Sequence, residues 1–144
     1  MNSENLNRFL SIDYGLKRIG LALTDPLFTF AYPFKTIENN SRMWEEILKL
    51  IKEKNVIKII LGNPFNEDGT PSKFSGVIEE FKKKLELKTK VEVILVDERY
   101  SSMIAKEKVL QSVSKKSKRR DKGIVDQNSA AVILQEYLDS KPKR

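Results

Sequence analysis

A mixed α/β fold, in which a sheet opened by an antiparallel hairpin carries helices on both faces, is what three observations in this 144-residue chain predict. Two apolar runs near the start flank a Gly-containing turn. Of two later strand-like runs, Val56 to Leu61 and Val91 to Val96, the first is almost unbroken in its apolar character, the profile of a central parallel strand buried on both faces. Around these runs, apolar residues recur at the i, i+3, i+4, i+7 spacing of amphipathic helices.

Phe9 to Ile12 reads as the first strand, Tyr14-Gly15-Leu16-Lys17 as a turn, and Arg18 to Thr24 as the returning strand with Ile19, Leu21 and Leu23 on one face. Asp25-Pro26 breaks that strand, and a third is expected from Tyr32 to Ile37, ahead of a turn at Asn39-Asn40. Ser41 is then the expected cap of a helix whose buried stripe is Trp44, Ile47, Leu48 and Ile51. The central strand from Val56 ends at Gly62-Asn63-Pro64. A polar loop over residues 66–71 leads to a second helix opened by Ser72, with Phe74, Val77, Ile78, Phe81 and Leu85 in register.

After the strand ending at Val96, Ser101 or Ser102 is expected to cap a helix reaching Val113. Residues 115–123 read as a mobile basic loop, Asp126 to Leu138 as a closing helix with Asp126 at its N-cap, and residues 139–144 as a frayed tail. The small Ala130 and Ala131 would let that helix approach the sheet closely. With no internal repeat and no linker, residues 1–144 are expected to form a single domain.

Composition narrows the chemistry. The hydrophobic fraction of 40% is enough for a core, no apolar run approaches a membrane span, and the first residues lack the apolar stretch of a secretory signal. A cytoplasmic protein is expected. With no cysteine and no histidine, thiolate nucleophiles, Cys- or His-based zinc sites and Ser-His-Asp triads are excluded. Carboxylates and hydroxyls remain, and hard oxygen ligands suit Mg²⁺ or Mn²⁺. The net charge of +7 suits a polyanionic partner.

Three acidic signatures, Asp13-Tyr14-Gly15, Asp97-Glu98-Arg99 and Asp126, fall at element edges far apart in sequence. Individually, Asp13 could serve a turn, Glu98 a surface ion pair and Asp126 a helix cap. Collectively they point elsewhere. Asp126 shares a helical face with Ala130, Ile133 and Tyr137, the stripe expected on the sheet, so the carboxylates can converge. Converging like charges are costly unless a cation compensates them. Gly15 fits a positive-φ turn position, and Gly20 lets another backbone or a ligand approach its strand. Lys17 and Arg18 lie beside Asp13, where they could hold a phosphate, and the basic run Lys115, Lys116, Lys118, Arg119, Arg120 and Lys122 precedes Asp126, in position for nucleic-acid contact.

With these residues in view, nearly the whole chain resembles the YqgF/RuvX family, described as Holliday junction resolvases or pre-16S rRNA nucleases. The resemblance rests on Asp13-Tyr14-Gly15 with Lys17-Arg18-Ile19-Gly20, Leu61-Gly62-Asn63-Pro64 with Asp68-Gly69, Asp97-Glu98-Arg99, and Asp126 with Ala130-Ala131 and Ile133-Leu134-Gln135. Leu16, Asn63 and Ser101-Ser102 depart from the family pattern without removing a carboxylate.

The resemblance implies an RNase H-like fold in which Asp13, Glu98 and Asp126 are the catalytic acids, with Asp97 the weaker candidate of its pair. These three would bind Mg²⁺ or Mn²⁺, while Lys17, Arg18 and Arg99 orient the strand. The implied substrate is structured RNA, the 5′ end of precursor 16S rRNA, in ribosomal precursor particles. Four-way DNA junctions are the alternative. A non-catalytic nucleic-acid-binding assembly factor and a phosphotransferase of the actin and sugar-kinase type are the rival classes. The latter uses two such domains around its nucleotide, more than 144 residues supply.

Overall fold

The computed structural model describes residues 6–64, 68, 70, 72–97 and 122–140. Five strands form one sheet: β1 (Arg8–Tyr14), β2 (Arg18–Thr24), β3 (Ala31–Glu38), β4 (Val56–Asn63) and β5 (Glu92–Asp97). Their order is β3-β2-β1-β4-β5, with the first three antiparallel and β1, β4 and β5 parallel. The expected hairpin is present, with Leu10 opposite Leu23 and Asp13 opposite Gly20. Its turn is fastened from outside: the Asn39 side chain donates to the Gly15 carbonyl and the Asn39 amide to that of Lys17, both at 2.9 Å.

Period-two alternation divides the sheet into two apolar faces. On one, Leu10, Ile12, Ile19, Leu21, Leu23, Ile59, Leu61 and Val93 pack with helices α1 (Met43–Glu53) and α2 (Ser75–Thr89). Ala22 and Ile60 face the other way and pack with Ala130, Ile133, Leu134 and Tyr137 of helix α3 (Lys122–Ser140). Burying even one such Leu or Ile contributes about 1.5–3 kcal/mol, so the two faces together order the sheet. Small residues let α3 sit close: buried Ser11, on the α3 face of β1, donates its hydroxyl to the Ala130 carbonyl.

Several expectations are corrected in detail. The α1 stripe is Met43, Ile47 and Leu50, with Trp44 and Ile51 at its flank and Leu48 exposed, because both candidate stripes share Ile47 and the sheet selects the one that includes Met43. Ser41 does not cap this helix. The turn into it is made by Asn40, whose side-chain oxygen accepts from the Arg42 amide and whose carbonyl accepts from Met43. Likewise α2 begins at Ser75, and Ser72 shapes the preceding turn by accepting from the Phe74 amide.

The closing helix starts a full turn before Asp126, at Lys122, and runs to Ser140. Asp126 is therefore within the helix and not its N-cap, residues 122–123 belong to helix and not to a basic loop, and residues 139–140 are helical and not tail. The helix expected between Ser101 and Val113 lies outside the described residues. Strand β3 is an edge, interrupted by Pro33 and by a register shift at Phe34. No described helix is long and apolar enough to cross a membrane.

Candidate active site

The carboxyl ends of the parallel strands, where open α/β sheets place ligands, carry the acidic residues. Asp13 is half-buried near the end of β1 and directly opposite Gly20 of β2. Opposed residues of an antiparallel pair project to the same face, with Cβ positions about 4.5–5.5 Å apart. The Cβ that Gly20 lacks would stand 2.1 Å from the Asp126 carbonyl oxygen and 2.9 Å from the Gln127 nitrogen. Gly20 thus points at the α3 backbone where Asp126 sits, and Asp13 stands beside it on the same face. Of the two visitors that Gly20 could admit, the structure shows a backbone.

A second glycine flanks Asp13 on the other side. Ile12 registers with Leu61, so the next positions, Asp13 and Gly62, are also neighbours. Asp13 consequently lies between two residues without side chains. One of these spaces is filled by α3, while at the other the sheet itself adds no bulk over the carboxylate. This arrangement could not be read from sequence, because the register between β1 and β4 sets it.

Arg18, also on the α3 face of β2, donates from Nε to Asp126 Oδ2 at 2.8 Å, with the two side chains 38% and 25% exposed. At that exposure the pair contributes under about 1 kcal/mol to stability, but it fixes the Asp126 carboxylate beside the sheet. The expectation that Arg18 is one of the strand-orienting cations missed this acid partner, although the opposite charges were the available signal. Lys17, at the hairpin tip, is exposed.

Asp97 ends β5 opposite Asn63 of β4. Val93 and Leu95 pack with the α1/α2 core while Ile94 and Val96 pack toward α3, so alternation puts Asp97 on the face away from Asp13 and Asp126. Glu98, Arg99, Lys115, Lys116, Lys118, Arg119 and Arg120 lie outside the described residues, and Lys122 opens α3. Among the described residues no three acids gather into a metal-binding group. The two expected acids that are described, Asp13 and Asp126, contribute hard carboxylate oxygens from one face. Such a donor set fits Mg²⁺ or Mn²⁺, while the charge of Asp126 is met here by the Arg18 guanidinium.

Comparison with other proteins bears on the whole chain. Residues 7–140 match the family described as RuvX, Holliday junction resolvase. The chain is 41% identical over 136 residues to a protein of Endomicrobium trichonymphae named "Putative pre-16S rRNA nuclease", covering 93% of this chain and 96% of that one. A Chlorobium phaeobacteroides protein of the same name is 39% identical over 145 residues, covering 97% of each. Among solved structures, Thermus thermophilus RuvC aligns with a TM-score of 0.57 at 10% identity, covering 92% of this chain and 97% of that one. The fowlpox virus resolvase bound to Holliday junction DNA aligns at 0.56 and 17% identity, with the same coverage. At such identities the likeness establishes the fold, which is RNase H-like.

Proposed function

The chain belongs to the RuvX family of Holliday junction resolvases, a family of nucleases, and we propose that it hydrolyses phosphodiester bonds with Asp13, Glu98 and Asp126 as its metal-holding catalytic acids. The observation that carries this reading is the placement of Asp13 and Asp126 on one face, with Gly20 admitting the α3 backbone beside the β1 carboxylate. Glu98 is preferred to Asp97 because Asp97 lies on the opposite face.

Mg²⁺ or Mn²⁺ held by these acids would supply water activation and charge neutralisation at the scissile phosphate. The chain's own groups do the rest. Arg18 holds Asp126 in place and is near enough to share a phosphate with Lys17 at the hairpin tip, while the base strip from Lys115 to Lys122, together with Arg99, adds sequence-independent affinity for the backbone. Asp13 stands opposite Gly20 in β2, so no side chain from that position crowds its carboxylate.

The relatives' name makes precursor 16S rRNA the leading substrate, and our reading places the cut at its 5′ end, in ribosomal precursor particles in the cytoplasm. The family description makes four-way DNA the second. Purified protein and an Asp13→Asn variant are incubated with both substrates and Mn²⁺. The reading expects cleavage by the first and none by the second; equal cleavage by both overturns the mechanism. Preference between the substrates decides which name applies to this chain.

A further inference from the structure

Behind the acidic face, at the same end of the sheet, lies an apolar cleft of about 150 Å³ walled by Tyr14, Leu16, Pro64, Phe74, Val77 and Ile78. Its rim is unusual for a soluble surface: Leu16, Phe74 and Val77 are 62%, 37% and 39% exposed, although all three are large and apolar. We propose that this cleft is a slot for a single unpaired nucleobase of the strand whose phosphate reaches Asp13. The inference rests on the nuclease reading above.

Three features select that occupant. Size comes first, since the volume admits one flat ring system and is well below the roughly 300–1,000 Å³ of pockets that take whole drug-sized ligands. Rigidity is second. Tyr14 packs against Phe81 at 4.4 Å between ring centroids, and Phe81 against Trp44 at 5.1 Å, so the Tyr14 wall is backed by aromatic rings anchored in the α1/α2 core. Charge is third: Lys73 lies over the Phe74 ring at 5.3 Å and Lys17 extends from the hairpin tip, placing cations where the phosphates on either side of a docked base would run. Stacking on aromatic faces beside a basic track is how proteins hold single-stranded nucleic acid.

Continuity with the acids follows from the strand itself. Asp13 and Tyr14 are consecutive in β1 and project to opposite faces, so a chain crossing the end of β1 meets a carboxylate on one side and the slot on the other.

The test measures affinity by fluorescence anisotropy, with Ca²⁺ replacing Mg²⁺ to hold off cleavage. The probes are RNAs with an unpaired strand, identical except for one abasic nucleotide walked along it. Wild type, Phe74→Ala and Leu16→Ser are compared. In wild type, loss of the base at one position is expected to weaken binding by about 5- to 150-fold, and the same loss weakens the two variants far less. Leu16→Ser carries the comparison should Phe74→Ala melt, because Leu16 sits on the exposed turn. Equal abasic penalties in all three proteins, with binding and cleavage retained, overturn the slot and leave the nuclease reading intact. Failure of wild type to bind or cut any RNA or junction removes both together.

Discussion

Replacing Gly20 by Ala tests the contact that seats the α3 backbone at Asp126 against β2. The added methyl carbon would stand 2.1 Å from the Asp126 carbonyl oxygen, and ordinary contact begins near 3.4 Å, so α3 must retreat by roughly 1 Å or β2 must bend. Neither neighbour is a flexible side-chain tip. Both are backbone atoms within a helix whose following turns are locked into the core through Ala130, Ile133 and Leu134. Overpacking of this kind typically costs about 1–3 kcal/mol, which for a chain of this size lowers the melting temperature by about 4–12 °C. Activity should fall further than stability, because a misplacement of about 1 Å can cost about 100-fold in rate. The assay is thermal melting by circular dichroism, followed by RNA cleavage well below the lowered midpoint. Gly76→Ala is the control: a methyl there meets nothing within 4 Å, and in α2 it should stabilise by about 0.5–1 kcal/mol. A Gly20→Ala protein that melts and cleaves like wild type would refute the packing of Asp126 against β2.

Asp126→Asn keeps the side chain's size and should shift melting by no more than about 4 °C, since its ion pair with Arg18 is partly exposed; cleavage should nevertheless drop by about 100-fold or more, and a wild-type rate would remove Asp126 from the catalytic set. Ser11→Ala deletes the buried hydroxyl that donates to the Ala130 carbonyl and should cost about 1 kcal/mol in a urea melt, with no loss expected if the hydroxyl does not tie α3 to β1. Asp25 gives a pH prediction. Slight burial raises the pKa of its carboxyl, but hydrogen bonds from the Phe30, Thr29 and Leu27 amides outweigh that and leave it below its ordinary value of 3.8. Its contribution to stability is then complete above pH 3.8 and is lost as pH falls through the lower, folded-state pKa. In an NMR titration those three amides should shift together with a midpoint under 3.8; a midpoint at or above it contradicts the assignment.

What the sequence disclosed follows from which interactions are local. The hairpin was legible because alternation and a Gly turn are written within seventeen residues, Arg8 through Thr24. The parallel strands β4 and β5 were legible from apolar runs that only Lys58 and Glu92 interrupt. Faces were harder: Ile47 belongs equally to a stripe with Leu48 and to one with Leu50, and only contact with the sheet decides. The start of α3 was misread because Asp126 is a competent cap in isolation, while Lys122 and Gly123 carry no comparable signal. At the site, Gly20 was recognisable as a place of close approach. Its neighbour across β1, Gly62, was not, because nothing local states the register of a parallel pair separated by more than forty residues. Asn39, which fastens the hairpin turn from the end of β3, was visible only as a turn former.

The break in β3 limits how copies of this protein can assemble. Pro33 has no amide hydrogen to offer, and the slip at Phe34 throws the outer row of backbone groups out of step, so an incoming extended segment would find no continuous ladder along that margin. A two-fold complex built to cut two strands at once would therefore not be made by running the two sheets together along this margin.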